Sequence, residues 1–153
     1  MMATETSKNT QIKWIEKHLR SYKTYKVGLQ TLKKQLDYIM PNMTASYDLS
    51  EGSSGTFNIK STTEDYAIDR IESKKALMIH EDISRYKMLI DSIDDALKDL
   101  DEVEREFVEY RYIKRCTIPQ TSIELGFSED VIFRTRKHVM DKLMISLRGL
   151  IQF

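Results

Sequence analysis

A chain of 153 residues fills one compact domain, or one small domain with a helical extension, and is too short for two enzyme domains. With 41% hydrophobic and 31% charged residues, two prolines and five glycines, it has the make-up of a folded protein with room for long helices. The formal net charge of zero counts against a nucleic-acid partner only on average, because the charge is segregated along the chain.

Residues 1–40 carry eight basic and three acidic side chains, 64–106 carry seven and fourteen, and 107–153 carry eight and five. Two basic ends flank an acidic middle. The stretch Met1 to Gln11 is polar, without the apolar centre of a signal peptide, and no apolar run approaches the ~18 residues that span a membrane. The expectation is a cytoplasmic protein with no membrane partner. Cys116 is the single cysteine, so no disulfide framework or thiolate zinc cluster is expected. His18, His80 and His138 show no ligand spacing, and no metal or cofactor is expected. The chain has no Gly-rich phosphate loop and no nucleophile beside a histidine base. It does not read as an enzyme.

In chain order, Ile12, Ile15, Leu19, Tyr22, Leu29, Leu32, Leu36 and Ile39 recur at steps of three and four, which predicts an amphipathic helix within residues 1–40, ended by Pro41. Residues 41–63 are rich in Ser, Thr, Gly and Asn and read as a flexible connection. A second helix, 64–100, is predicted to start near Thr62 or Thr63, with Thr62 and Asp65 spaced to cap it. Its seam of Ile79, Ile83, Tyr86, Ile90, Ile93, Leu97 and Leu100 follows coiled-coil spacing. Such a helix needs a partner, either the first helix of the same chain or a second copy in a homodimer.

Residues 101–153 break into three shorter pieces. Glu102 to Lys114 should turn Val103, Phe107, Tyr110 and Ile113 inward. Pro119 to Leu125 forms a second piece, with Pro119 in the first helical turn and Gly126 as a left-handed terminator. A third starts after Ser128, which can cap it, and runs to Leu143 or beyond with Ile132, Val139, Met140 and Leu143 inward. A short helix, a Gly-containing turn and a longer capped helix is the layout of a helix-turn-helix. The predicted fold is therefore all-α, a long amphipathic helical pair plus a C-terminal three-helix helix-turn-helix module.

The run from Leu100 to Ile113, with Ile118 to Ser128 and the closing Lys142-Leu143, resembles the promoter-binding fourth region of sigma factors. It departs from that pattern at Thr121-Ser122, where the family carries Ile-Ala, so a more polar helix contact is expected there. The whole chain, through the Trp14 to Tyr22 helix, the Ser/Gly-rich connection and the acidic helix, is similar to the ArpU-type phage transcriptional regulators. That resemblance implies a regulator of late phage or prophage genes, such as packaging or lysis functions, acting on double-stranded DNA in a bacterial host cell.

With the third short helix in the major groove, its first turns meet base edges. Arg134 and Lys137 can donate to guanine, Glu129 or Asp130 can accept from cytosine, and Phe133 can touch a thymine methyl. Lys114, Arg115, Thr117, Ser128, Arg136 and Lys142 are candidates for phosphates, which fix register without reading sequence. The same cations also read as the solvated face of an ordinary helix, and Phe133 as packing on the preceding helix. Two further readings stay open: a phage small terminase subunit binding packaging-site DNA, and a protein-interaction module contacting RNA polymerase or a repressor.

Overall fold

The structure, a computed structural model, describes residues 2–47 and 62–151, with side chains described for 7–39 and 67–150. All described elements are helical, and the fold is all-α. They are α1 (Met2–Tyr47), α2 (Thr62–Lys98), α3 (Glu102–Val108) continuing as a π-helical turn (Glu109–Ile113), α4 (Ile118–Leu125), α5 (Glu129–Ser146) and α6 (Arg148–Ile151).

Helix α1 does not stop at Pro41 as expected but runs on to Tyr47. A proline inside a helix removes one backbone hydrogen bond and crowds the carbonyl four residues back, here that of Asp37, while the bonds on either side remain available. The interior of the Ser/Gly-rich connection, 48–61, lies outside the described residues, as do the side chains of the expected Thr62–Asp65 cap. Helix α2 begins at Thr62, where the sequence placed it.

The described residues form two compact units, the first drawn from Met1–Lys26 and Met88–Phe153, the second from Val27–Lys87. In the first unit a single core joins Ile15 and Leu19 of α1, Ile93 and Ala96 of α2, Leu100 between α2 and α3, Phe107 and Val108 of α3, Tyr112 of the π-helical turn, and Ile132, Val139, Met140 and Leu143 of α5. Each fully buried Ile, Leu, Val, Met or Phe side chain among them contributes about 1.5–3 kcal/mol of hydrophobic stabilisation before entropy is counted. The expected inward face of α5 is the observed one. On α3 Phe107 is inward as expected, but Val103 is 39% exposed while Glu104 is buried. Glu104 turns inward because it closes a capping box with Asp101, whose carboxylate accepts from the Glu104 backbone at 2.8 Å, and because it also receives the Lys142 ammonium at 2.8 Å.

The π-helical turn shifts the inward stripe further. Phe107 and Tyr112 are both fully buried and meet edge to face, with centroids 5.8 Å apart, whereas Tyr110 and Ile113 are only half-buried. Residues five apart diverge around a regular α-helix, and a wider turn brings them to one side. Its signature is the bond from Lys114 N to the Glu109 carbonyl, 2.8 Å.

In the second unit Leu29, Leu32, Leu36 and Ile39 of α1 and Ile79, Ile83 and Tyr86 of α2 are half-buried, and Ala76 is buried. Gly28 faces the Tyr86 ring. Both units thus contain intrachain contacts between segments of the two long helices, and in the first unit the Tyr22 hydroxyl donates to the Asp94 carboxylate.

Candidate nucleic-acid interface

The chain reaches α4 through a sharp change of direction. After the π-helical turn, Arg115 takes a left-handed conformation at φ 58°, uncommon for a residue with a side chain, and Arg111 donates to the Cys116 carbonyl at 2.8 Å. Thr117 is then the N-cap of α4. Its hydroxyl accepts from Gln120 N at 3.3 Å and the Gln120 side chain accepts from Thr117 N at 2.9 Å, a reciprocal box in the Thr-x-x-Gln spacing. Pro119 lies in the first turn, where its missing donor costs nothing. Gly126 ends the helix at φ 71°, left-handed as expected.

The Thr121-Ser122 pair does not make the interhelical contact more polar. Thr121 is fully buried, yet its hydroxyl donates to the Thr117 carbonyl at 2.8 Å, and the Ser122 hydroxyl donates to the Phe127 carbonyl. Both hydroxyls are satisfied by local backbone, which leaves the rest of Thr121 to pack as an apolar group. Ser128 occupies the N-cap position of α5 but makes no side-chain capping bond. Glu129 and Asp130 in the first turn still complement the helix dipole.

Helix α5 divides its polar residues into two groups. Arg136, Asp141 and Lys142 are tied down, Asp141 by Lys8 of α1 at 3.1 Å. Arg136 donates through Nε and Nη2 to Glu16 of α1, at 3.2 and 2.7 Å, and Lys142 donates to Glu104. The Tyr112 hydroxyl donates to the same Glu16 oxygen at 2.9 Å. Burial works to raise the Glu16 carboxyl, but the bonds from Arg136 and Tyr112 and the charges of Arg136 and Arg20 outweigh it and hold the group below its ordinary value. Burial, followed by the Glu16 charge, pushes the Tyr112 hydroxyl well above its ordinary range.

The second group is open. Glu129, Asp130, Arg134 and Lys137 are exposed and make no hydrogen bond or ion pair among the described residues, and Phe133 is 54% exposed. Asp130, Arg134 and Lys137 fall at steps of four and three, on the side of α5 opposite its buried stripe, with Phe133 at the edge of that side. Of the phosphate candidates, Lys114 lies over the Tyr110 ring at 4.2 Å and Arg115 donates to the Arg20 carbonyl at 3.2 Å, both beside Thr117. Ser128 is exposed between the two helices. Lys114, Arg115 and Thr117 fall within four residues at the N-terminal edge of α4, whereas Arg136 and Lys142 are held in ion pairs with Glu16 and Glu104.

Sequence reasoning missed Glu16, Tyr112 and Glu104 as the groups that fix α5. The Asp101-x-x-Glu104 and Thr117-x-x-Gln120 spacings are readable as capping signals. Nothing in the sequence pairs Glu16 with Arg136. The chain was compared with protein-family models, with curated proteins and with solved structures, and nothing matches it in any of the three.

Proposed function

We propose that the chain is a sequence-specific DNA-binding regulator of transcription, with α5 in the major groove and α4 across the phosphate backbone. The observation that carries this reading is the division on α5. Two of its cations, Arg136 and Lys142, are paired with Glu16 and Glu104, while Glu129, Asp130, Arg134 and Lys137 are solvent-facing and unpartnered over two turns. A merely solvated face needs no such separation. A groove-reading face needs donors and acceptors held on a rigid helix and not satisfied from within. Lys114, Arg115 and Thr117 then supply the phosphate contacts that set register, Thr117 with its hydroxyl hydrogen still free to donate. The resemblance to ArpU-type regulators extends the proposal to late phage or prophage genes in a bacterial cell.

One groove-binding module makes few contacts, and useful affinity commonly comes from two modules on half-sites ~34 Å apart. Val27, Tyr38 and Leu77, each more than 60% exposed on the long helices, support a homodimer as the source of the second module. A second reading has its own support. Ile123 is 79% exposed on α4, and Phe127 and Phe133 are also exposed, which fits contact with RNA polymerase or another protein beside the DNA. The test is selection of duplexes from a random pool by the full chain. Enrichment of a defined sequence supports the regulator. Recovery of random sequence alone, with retention of a protein partner at high salt, contradicts it in favour of the interaction module.

A further inference from the structure

Helix α1 crosses the first unit in a fixed order. Lys8 pairs with Asp141 at 3.1 Å, Glu16 with Arg136 at 2.7 Å, and the Arg20 carbonyl accepts from Arg115 at 3.2 Å. As α1 advances from Lys8 to Arg20, about 18 Å at 1.5 Å per residue, its contacts move from the far part of α5 back to the loop before α4. This places Arg20 beside the segment that carries Lys114, Arg115 and Thr117.

This stretch of α1 is rich in cations and poor in carboxylates. From Ser7 to Lys26 the sole carboxylate is Glu16, already consumed by Arg136. Lys13, Lys17 and Arg20 follow at steps of four and three on the exposed side, flanked by exposed Lys23. Among the described residues Lys13, Lys17 and Lys23 make no hydrogen bond or ion pair, and the Arg20 guanidinium lies 5.7 Å from the Tyr112 ring centroid.

We infer that Lys13, Lys17, Arg20 and Lys23 form a second, sequence-independent phosphate-binding strip, continuous through Arg115 with the α4 edge and laid along the backbone of the duplex that α5 reads. This rests on the DNA-binding function proposed above. Lys13 to Lys23 spans about 15 Å, the rise of roughly four base-pair steps. An acidic protein is the other conceivable occupant, but a protein interface is built around an apolar centre, and no large apolar side chain is exposed among the described residues from Ser7 to Lys26. A strip of cations without an apolar centre fits a polyanion.

The experiment measures binding of the full chain to its selected duplex and to random duplex over about 50–200 mM salt, for the parent, K13Q/K17Q/K23Q and R134A/K137A. Arg20 is kept because of its contacts with Tyr112 and Arg115, and circular dichroism checks that both variants stay folded. The strip predicts that the lysine variant lowers the slope of log affinity against log salt by about 0.9 for each phosphate no longer neutralised, with the preference for the selected duplex retained. R134A/K137A loses that preference instead. Parent-like affinity and slope in the lysine variant overturn the strip while leaving the function standing. If the lysine variant instead loses binding to polyglutamate with its DNA slope intact, the strip is a protein surface and the inference fails. A parent chain that binds no duplex at any salt removes both.

Discussion

Arg136 of α5 and Glu16 of α1, 120 positions apart in the chain, are joined by two hydrogen bonds to one carboxylate oxygen that also accepts from Tyr112. The guanidinium is about a third exposed and the carboxylate mostly buried. Removing the carboxylate deprives a partly exposed cation and a buried hydroxyl of their shared acceptor. Glu16→Ala is expected to destabilise the fold by about 1–2 kcal/mol, the contribution of hydrogen bonds to a charged group reduced because the guanidinium is partly exposed to water. Urea denaturation of Glu16→Ala, Arg136→Ala and the double variant checks this, and strictly additive effects would contradict the pairing.

Stability should fall in two stages on acidification. Burial, with the charge of Lys17, holds the His18 imidazole below its ordinary value of 6.5, so the unfolded chain takes up that proton first and stability declines as pH drops below about 6.5. Glu16 is held below 4.5 in the folded chain, so its contribution is present above that value and is lost as pH falls through the folded value. Thermal melts between about pH 3 and 8 should lose the first stage in His18→Gln and the second in Glu16→Gln. An unchanged pH profile in both variants contradicts these assignments.

The displaced inward stripe of α3 and its π-helical turn predicts unequal costs. Phe107→Ala should destabilise by about 3–5 kcal/mol, while Val103→Ala at an exposed position should cost under about 1 kcal/mol. Equal effects in chemical denaturation would restore the regular helix expected from sequence.

Gly126 is left-handed at φ 71° with open space around an added Cβ, so Gly126→Ala isolates the backbone penalty, about 1–2 kcal/mol. Gly149, in α6 with open space and no positive φ, is the control. Gly149→Ala should be neutral or stabilising, by up to about 1 kcal/mol. A neutral Gly126→Ala would place the turn in another conformation.

The three short helices are legible in the sequence because their signals are local. The stops and starts around Thr117, Pro119, Gly126 and Ser128 and the inward residues of α5 depend on neighbours within a turn or two. The failures come from forces that short-range periodicity does not carry. Periodicity turns Val103 inward because it is apolar, whereas Glu104 takes that position through a cap and a lysine 38 residues away. It passes over Tyr112 because a π-helical turn breaks the 3.6-residue count. Pro41 reads as a stop because its local cost is large, yet α1 continues to Tyr47. For the candidate site, Asp130, Arg134 and Lys137 are legible as the face opposite the apolar stripe, and Glu129 as an exposed residue of the first turn. The ion pairs that separate Arg136 and Lys142 from that face depend on Glu16 and Glu104, which are distant in sequence.

The most direct test of the central claim compares the parent, Arg134→Ala and Lys137→Ala on a selected duplex and on variants of it with single base-pair changes, at fixed salt. A groove-reading α5 predicts a drop of about 1–3 kcal/mol in discrimination at a different base pair for each substitution, with binding to random DNA much less affected. Identical base preferences in the parent and both variants would contradict a groove-reading α5.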